Sequence, residues 1–273
     1  MTYTLSQITA AAEVLWPRSG AEEWDAPGLL VGNPAQSVSR VLLSVDVTAQ
    51  VLDEAIDGGF DLVVSHHPYL MRGVTTLAED TLKGALVAHA IRHRIALFAA
   101  HTNADIVARG VSDTIASRLG LLDVSPLEPT RFDPTIGHGR VGSLASPIPL
   151  EDFARLVSSV LPATAAGIRV AGRRDQTVSR VAVLGGAGDS FLAAAAASGA
   201  DVYVTSDLRH HPAQDSVEAA KALGREFALI DVPHWAAESL WLANAEAQLA
   251  GIFEDAQIVV SGICTDPWDF VVN

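Results

Sequence analysis

Two adjacent histidines, His66 and His67, end the short apolar run Asp61-Leu62-Val63-Val64-Ser65, and Pro68 closes it directly after them. Imidazole can ligate a metal or move a proton near neutral pH, and strand ends of open α/β sheets are where such chemistry collects. Neighbouring residues on an extended chain point to opposite faces. The pair is therefore expected to flank two ions lying side by side rather than serve one ion from one direction. In isolation a His-His dipeptide reads more simply as two partly exposed loop residues, and the rest of the chain decides between the two.

Two further elements tip the balance. His101-Thr102-Asn103-Ala104-Asp105 and His234-Trp235-Ala236-Ala237-Glu238 each follow an apolar run and each set a carboxylate four residues after an imidazole. On the first turn of a helix that spacing puts both groups on one face. Imidazole with carboxylate suits zinc, manganese, iron or nickel better than magnesium alone, and one carboxylate can bridge two ions about 3.5–4 Å apart. The remaining histidines carry less. His89 and His93 share a helical face beside Arg92 and Arg94, which reads as a solvated surface. His210-His211-Pro212 copies His66-His67-Pro68 but follows no strand directly, so His211 is read as a proton carrier or substrate contact; His138 is read as structural. Gly185-Gly186-Ala187-Gly188-Asp189-Ser190 could present amides to an anion. It lacks the third glycine of a dinucleotide fingerprint and the lysine of a P-loop, so a tight turn is the default. Trp24-Asp25-Ala26-Pro27-Gly28 reads as a turn-rich loop with an anchoring tryptophan.

The elements that must position these groups follow a regular pattern. A helix is expected over 5–16, closed by Pro17. Then come a strand at 41–46, a helix capped by Thr48 and ending near Gly58, and the strand that carries His66 and His67. A helix at 81–94 and a strand at 95–100 lead to His101, and Ser112 is expected to cap a helix that stops at Gly120. Pro126, Pro129 and Pro134 mark a linker. Beyond it, strands at 139–144 and 168–171 flank a helix at 150–161, and a further strand at 228–231 leads to His234.

Shifting Ser39-Arg40-Val41 by 140 positions lands on Ser179-Arg180-Val181, and Gly59-Phe60-Asp61-Leu62-Val63-Val64-Ser65 lands without a gap on Gly199-Ala200-Asp201-Val202-Tyr203-Val204-Thr205. Self-similarity of this kind predicts an α/β fold of two similar lobes related by an internal pseudo-two-fold repeat, each with a largely parallel sheet. The first lobe is expected over 1–125, with 240–273 returning to pack on it, and the second over 126–273.

Composition narrows the class. The chain has 273 residues, 49% of them hydrophobic, and a mean hydropathy of +0.28, as expected of a packed globule. A formal net charge of −14 argues against a nucleic-acid footprint. The one cysteine, Cys264, cannot form an internal disulfide, the first residues have neither a basic nor an apolar leader segment, and the longest apolar run is far short of a membrane span. A cytoplasmic protein with no membrane segment is expected.

As a set, Trp24-Asp25, Gly28-Leu29, Val31-Gly32, Ser44-Val45-Asp46-Val47-Thr48, Ser65-His66-His67-Pro68, His101 to Asp105, Gly185 to Ser190, Thr205-Ser206-Asp207 and His234 to Glu238 resemble the GTP cyclohydrolase I type 2 homologues, also called NIF-three-like proteins. The resemblance spans residues 24 to 238. It implies two divalent ions per chain in the cleft between the lobes. His67 and Asp105 would hold one, His66 and His234 the other, and Glu238 would bridge both, with His101 beside the site. It also implies a ring-shaped homohexamer whose metal sites face the interior. Some relatives carry an extra domain between the lobes, for which the 45 or so residues between Gly120 and Ile168 leave no room. Ser206-Asp207 stands where many relatives have Gly-Asp, and Pro233 precedes His234.

The activity this suggests is hydrolysis. A metal-bound water would attack a nucleotide or phosphoester, and His101 or His211 would act as general acid or base. The alternatives are a metal-binding or partner-binding ring with no dedicated substrate and, more weakly, a redox-active iron or copper protein.

Overall fold

The computed structural model describes residues 2–272, and the chain divides into two compact units. Met1–Ala104 with Leu242–Thr265 form the first unit; Asp105–Trp241 with Asp266–Asn273 form the second. The sequence placed this boundary near residue 125. It falls earlier because the helix Val111–Arg118 belongs with the second unit's strands: a Cβ at Gly185 would stand 2.3 Å from Val111 Cγ1.

The first unit is organised on a five-stranded sheet in the order Gln257–Val260, Arg40–Ser44, Leu62–Ser65, Ala96–Ala99, Gly28–Val31. Neighbours among the first four run parallel, and the last is antiparallel. All four residues of Leu62–Ser65 and of Ala96–Ala99 are buried, as expected of central strands covered on both faces. Helices supply the covering. Ala49–Asp57 is capped by the Thr48 hydroxyl, which accepts from the Val51 amide, and Leu82–Arg92 is capped by Thr81 in the same way. Leu5–Leu15 starts with a reciprocal capping box between Thr4 and Gln7. Leu42, Val51, Leu52, Val63 and Leu97, none measurably exposed, sit at the centre of the core.

The second unit holds a six-stranded sheet in the order Leu122–Pro129, Gly137–Pro149, Thr177–Ala187, Val202–Ser206, Ala228–Asp231, Arg169–Ala171. The third, fourth and fifth run parallel and the rest pair antiparallel. Two expectations fail here. Pro126 and Pro129, taken with Pro134 as a linker, lie in an edge strand, Leu122–Pro129, which among the described residues pairs to Gly137–Pro149 alone. An outer strand tolerates prolines because one side of it needs no amide donors. Ser112 is not a cap either: the helix Val111–Arg118 starts after Gly110, and the buried Ser112 hydroxyl instead accepts from the Gly185 amide at 3.2 Å.

The two central sheets keep the same register under the 140-residue shift. Val41 faces Leu62 as Val181 faces Val202, and Leu43 faces Val64 as Val183 faces Val204. Each is pinned at the same place. Asp61 accepts from the amides of Ser39 and Arg40 at 2.7 and 3.0 Å, and Asp201 accepts from those of Ser179 and Arg180, both at 2.8 Å. Gln36 and Gln176 each donate a side-chain amide to the following carbonyl, of Asp61 and Asp201 respectively, at 3.2 Å. Among the described residues, no helix is long and apolar enough to cross a membrane.

Candidate metal centre

In the first unit the strand Leu62–Ser65 stops before the histidines, which lie in a bend. The alternation of an extended chain therefore does not separate them. The rings of His66 and His67 stand 5.2 Å apart, and His101, just past the end of Ala96–Ala99, completes a triangle at 5.2 Å from His66 and 5.4 Å from His67. One donor atom from each of the three lies within 4.8 Å of the others. The strand thus ends too early for its alternation to decide where the two rings point.

Each ring is held by its Nδ1. His66, fully buried, donates to the Ala100 carbonyl at 2.8 Å. His67 donates to Asp46 Oδ1 at 2.7 Å, and Asp46 is itself held by the Thr265 hydroxyl. His101 donates to Asp25 Oδ1 at 2.9 Å, while Asp25 Oδ2 accepts from the amide and hydroxyl of Thr102. Carbonyls and ionised carboxylates only accept, so the proton resides on Nδ1 and the lone pair of the neutral ring is on Nε2. Burial opposes ionisation of Asp25, but its hydrogen bonds to His101 and Thr102 outweigh it and hold the carboxyl down to about 2. Trp24 stands edge-on to His101 at 5.8 Å, so the anchoring tryptophan and its neighbour both serve this imidazole.

In the second unit, His234 and Glu238 occupy the first turn of the helix His234–Ala250 on one face. His234 Nδ1 meets Asp207 Oδ2 at 2.8 Å, and its Nε2 meets Glu238 Oε1 at 2.8 Å. Burial works against a charge on His234, but Glu238 and Asp207 overcome it and push its pKa up to about 11. Without metal, this imidazole is a cation between two carboxylates. Glu238 is buried, and the backbone of Gly186 (φ +81°) lies so near that a Cβ there would stand 2.8 Å from Glu238 Oε1. Gly185-Gly186 is thus the end of a strand that must pass close to a carboxylate.

Asp105 closes the short helical turn Thr102–Asp105 and is half-buried. His211 is exposed at the second position of the helix His210–Ala222, its ring 5.1 Å from that of His210. His89 and His93 lie on or at the end of the helix Leu82–Arg92, with His89 Nε2 3.3 Å from Asp53 Oδ1 in an exposed pair. His138 lies with its ring 5.4 Å from Phe191. The sequence reading gave no role to Asp25, Asp46 or Asp207, although each stands in a motif it quoted. The available signal was their type and place: carboxylates in the loops around the histidine-bearing strand ends.

The donors fit a transition metal. Neutral imidazoles presenting Nε2, with Nδ1 tied to a carboxylate or carbonyl, are what metal-binding histidines require. The fold and these clusters define a class: an α/β protein with a histidine- and carboxylate-rich, metal-competent site at its strand ends.

The family model for Duf34/NIF3 (NGG1p interacting factor 3) matches residues 3–267. A Streptomyces coelicolor protein called GTP cyclohydrolase 1 type 2 homolog is 46% identical over 270 residues, covering 97% of this chain and 93% of that one. A Mycobacterium bovis protein of the same name is 33% identical, covering 98% and 97%. Its alignment runs to 376 residues against the 273 of this chain, so it carries segments missing here. Among solved structures, a Bacillus cereus protein related to NIF3 superposes with a TM-score of 0.90 at 25% identity, covering 98% and 99%. The chain belongs to the Duf34/NIF3 family.

Proposed function

We propose that this chain is a dinuclear metal-dependent hydrolase, built from two diverged copies of one α/β unit and working as a homohexamer in the cytoplasm. His67 and Asp105 would hold one divalent ion, His66 and His234 the other, and Glu238 would be shared between them. Such ions, zinc, manganese, iron or nickel by the donor chemistry, supply Lewis acidity and a water that ionises near neutral pH. Asp46 and Asp207 fix the tautomers of His67 and His234, and Gly186 gives the Glu238 carboxylate its place. An imidazole beside the ions, His101 or His211, moves the proton. The substrate is a small molecule with an electrophilic centre, a nucleotide or another phosphoester, in line with the name GTP cyclohydrolase 1 type 2 homolog borne by relatives.

The observation that carries this reading is the Nδ1 contacts. Four histidines at strand exits each have Nδ1 tied to an acceptor, three of those acceptors being carboxylates. Histidines that merely fill a core have no need of such uniform preparation. The test is metal content with turnover on a panel of nucleotides and phosphodiesters. Wild-type protein is expected to hold two ions per chain and to turn over at least one member of the panel. Glu238→Ala is expected to fall below two ions and to lose turnover; full activity in the metal-free variant would refute the proposal.

A second reading is favoured by the family's description, which names an interacting factor rather than a reaction. A metal-loaded ring that binds a partner would carry the same ions but give no metal-dependent turnover on any substrate.

A further inference from the structure

We infer that the segment 266–272 of one copy of this chain docks in a groove beside the edge strand Arg169–Ala171 of a second copy. The contact uses no metal donor and needs no turnover. It shares with the reading above only that copies of the chain associate.

The groove follows from a mismatch of lengths within the second unit. The edge strand Arg169–Ala171 has three residues, whereas the helix His210–Ala222, which packs on the neighbouring strand Ala228–Asp231, has 13. Of that helix only Ala220 is buried; Ala213 and Val217, earlier on the same stripe, are half-covered. The uncovered space is a groove of about 380 Å³ lined by Val170, Leu208, Ala213, Val217 and Leu229. That is the size of a small-ligand site and more than one indole needs. Arg169 also lines it. Its Nε and one Nη donate to Asp231, yet its side chain stays 73% exposed. Among the described residues, the outer edge of its strand pairs with no other strand.

The occupant is named by the chain's own surface. Trp268, Phe270 and Val272 are 67–84% exposed, and Val271 beside them is exposed too. A contiguous run of large apolar side chains in water marks a contact surface. Past a bend at Pro267 the segment forms neither helix nor strand, and among the described residues no backbone hydrogen bond ties 266–272 to the rest of the chain. Residues 268, 270 and 272 alternate, so an extended backbone puts all three on one face. Strand addition asks for these two things: backbone groups to pair with an open edge, and alternate side chains to fill a pocket. The segment does not line the groove of its own chain. With Trp268 seated in the groove of a second copy, Asp269 comes to the rim, where the guanidinium of Arg169 faces solvent. Two aromatic anchors in a pocket form the energetic centre of an interface, which the surrounding surface completes.

The test uses the full chain carrying Cys264→Ser, which removes its one native thiol. A chain with Asp269→Cys is co-expressed with a size-tagged chain bearing Gln214→Cys at the groove, and the mixture is mildly oxidised. A disulfide joining tagged to untagged chains is expected, and adding Trp268→Ala/Phe270→Ala to the Asp269→Cys chain is expected to abolish it. Without engineered cysteines, that aromatic double replacement and Val217→Asp are each expected to raise the concentration of half-dissociation at least about 30-fold in sedimentation. Leu223→Ser, at an exposed leucine outside the groove, is expected to leave it unchanged. The aromatic replacements touch no core residue, which keeps the inference testable if Val217→Asp fails to fold. Assemblies that persist in all these variants, or a disulfide formed only within a chain carrying both cysteines, would overturn the inference and leave the homohexamer reading standing. A wild-type chain that stayed monomeric at every concentration would overturn both.

Discussion

The two units carry one frame and opposite chemistry at its ends. Under the 140-residue shift, Ser65-His66-His67 falls on Thr205-Ser206-Asp207, and Asp46 falls on Gly186. In the first unit the second residue past the strand is an imidazole, His67, held by the carboxylate of Asp46. In the second the matching position is a carboxylate, Asp207, at φ +56°, which holds the imidazole of His234 arriving on another element. Imidazole and carboxylate have changed places. Because the strands, their register and the aspartate pins are common to both, the difference shows that chemistry here is set by one or two residues beyond each strand end and is almost independent of the sheet below.

The largest test of that comparison is Gly186→Ala. The first unit has a carboxylate at the matching position, but in the second an added Cβ would stand 2.8 Å from Glu238 Oε1 on a backbone at φ +81°. Metal affinity, measured by competition with a chelating dye, is expected to fall about 100-fold or more. Gly199→Ala is the control: its φ is +79° but nothing lies within 4 Å, so it carries only the backbone strain, about 1 kcal/mol, with metal affinity intact. Equal affinity in the two variants would mean that the close approach at Gly186 has no bearing on the ions.

The same contrast explains what was readable in the sequence. The frame was legible because it is local. β-branched runs between capping residues mark the strands and helices, and Thr48 caps where its position before an apolar helix says it should. The candidate side chains stood out too, since the histidines and acids stand in short spaced motifs. The holders were not. Asp25 lies 76 residues from His101, Asp46 lies 21 from His67 and Asp207 lies 27 from His234, separations that leave no periodic trace. The convergence of His66 and His67 was hidden for another reason: one residue decides whether the alternation rule applies, and the strand stops at Ser65. Leu122–Pro129 was masked by prolines that are breakers in a central strand and tolerated on an edge.

A second, smaller effect separates the holders by burial. The Asp25 side chain has no measurable exposure, whereas that of Asp207 is 58% exposed. Asp25 titrates at about 2 in the folded chain against an ordinary 3.8, so its folded-state pKa is depressed. The stability it contributes is fully present above about pH 4 and is lost as pH falls toward 2, an amount on the order of 2 kcal/mol. Asp25→Asn is therefore expected to destabilise the chelator-treated protein more at pH 6 than at pH 2.5, as read from urea midpoints. A penalty independent of pH would show that the Asp25 hydrogen bonds stabilise through geometry alone, removing the distinction between a buried holder and an exposed one.

The smallest expected difference lies in the pins that make the frames alike. Asp61 Oδ2 accepts from the Ser39 amide, the Ser39 hydroxyl and the Arg40 amide; Asp201 Oδ2 accepts from the amides of Ser179 and Arg180. Replacing either by alanine strips charge-assisted bonds from two amides, at a cost of about 1–3 kcal/mol. Asp61→Ala should exceed Asp201→Ala by about 1 kcal/mol for the additional hydroxyl. Ser39→Ala on the wild-type background should then recover most of that gap, since it removes the third bond while leaving the pin. If Asp201→Ala proved the costlier of the two, the pins would not be equivalent, and the matching register of the two sheets would owe its origin to the packing of their central strands.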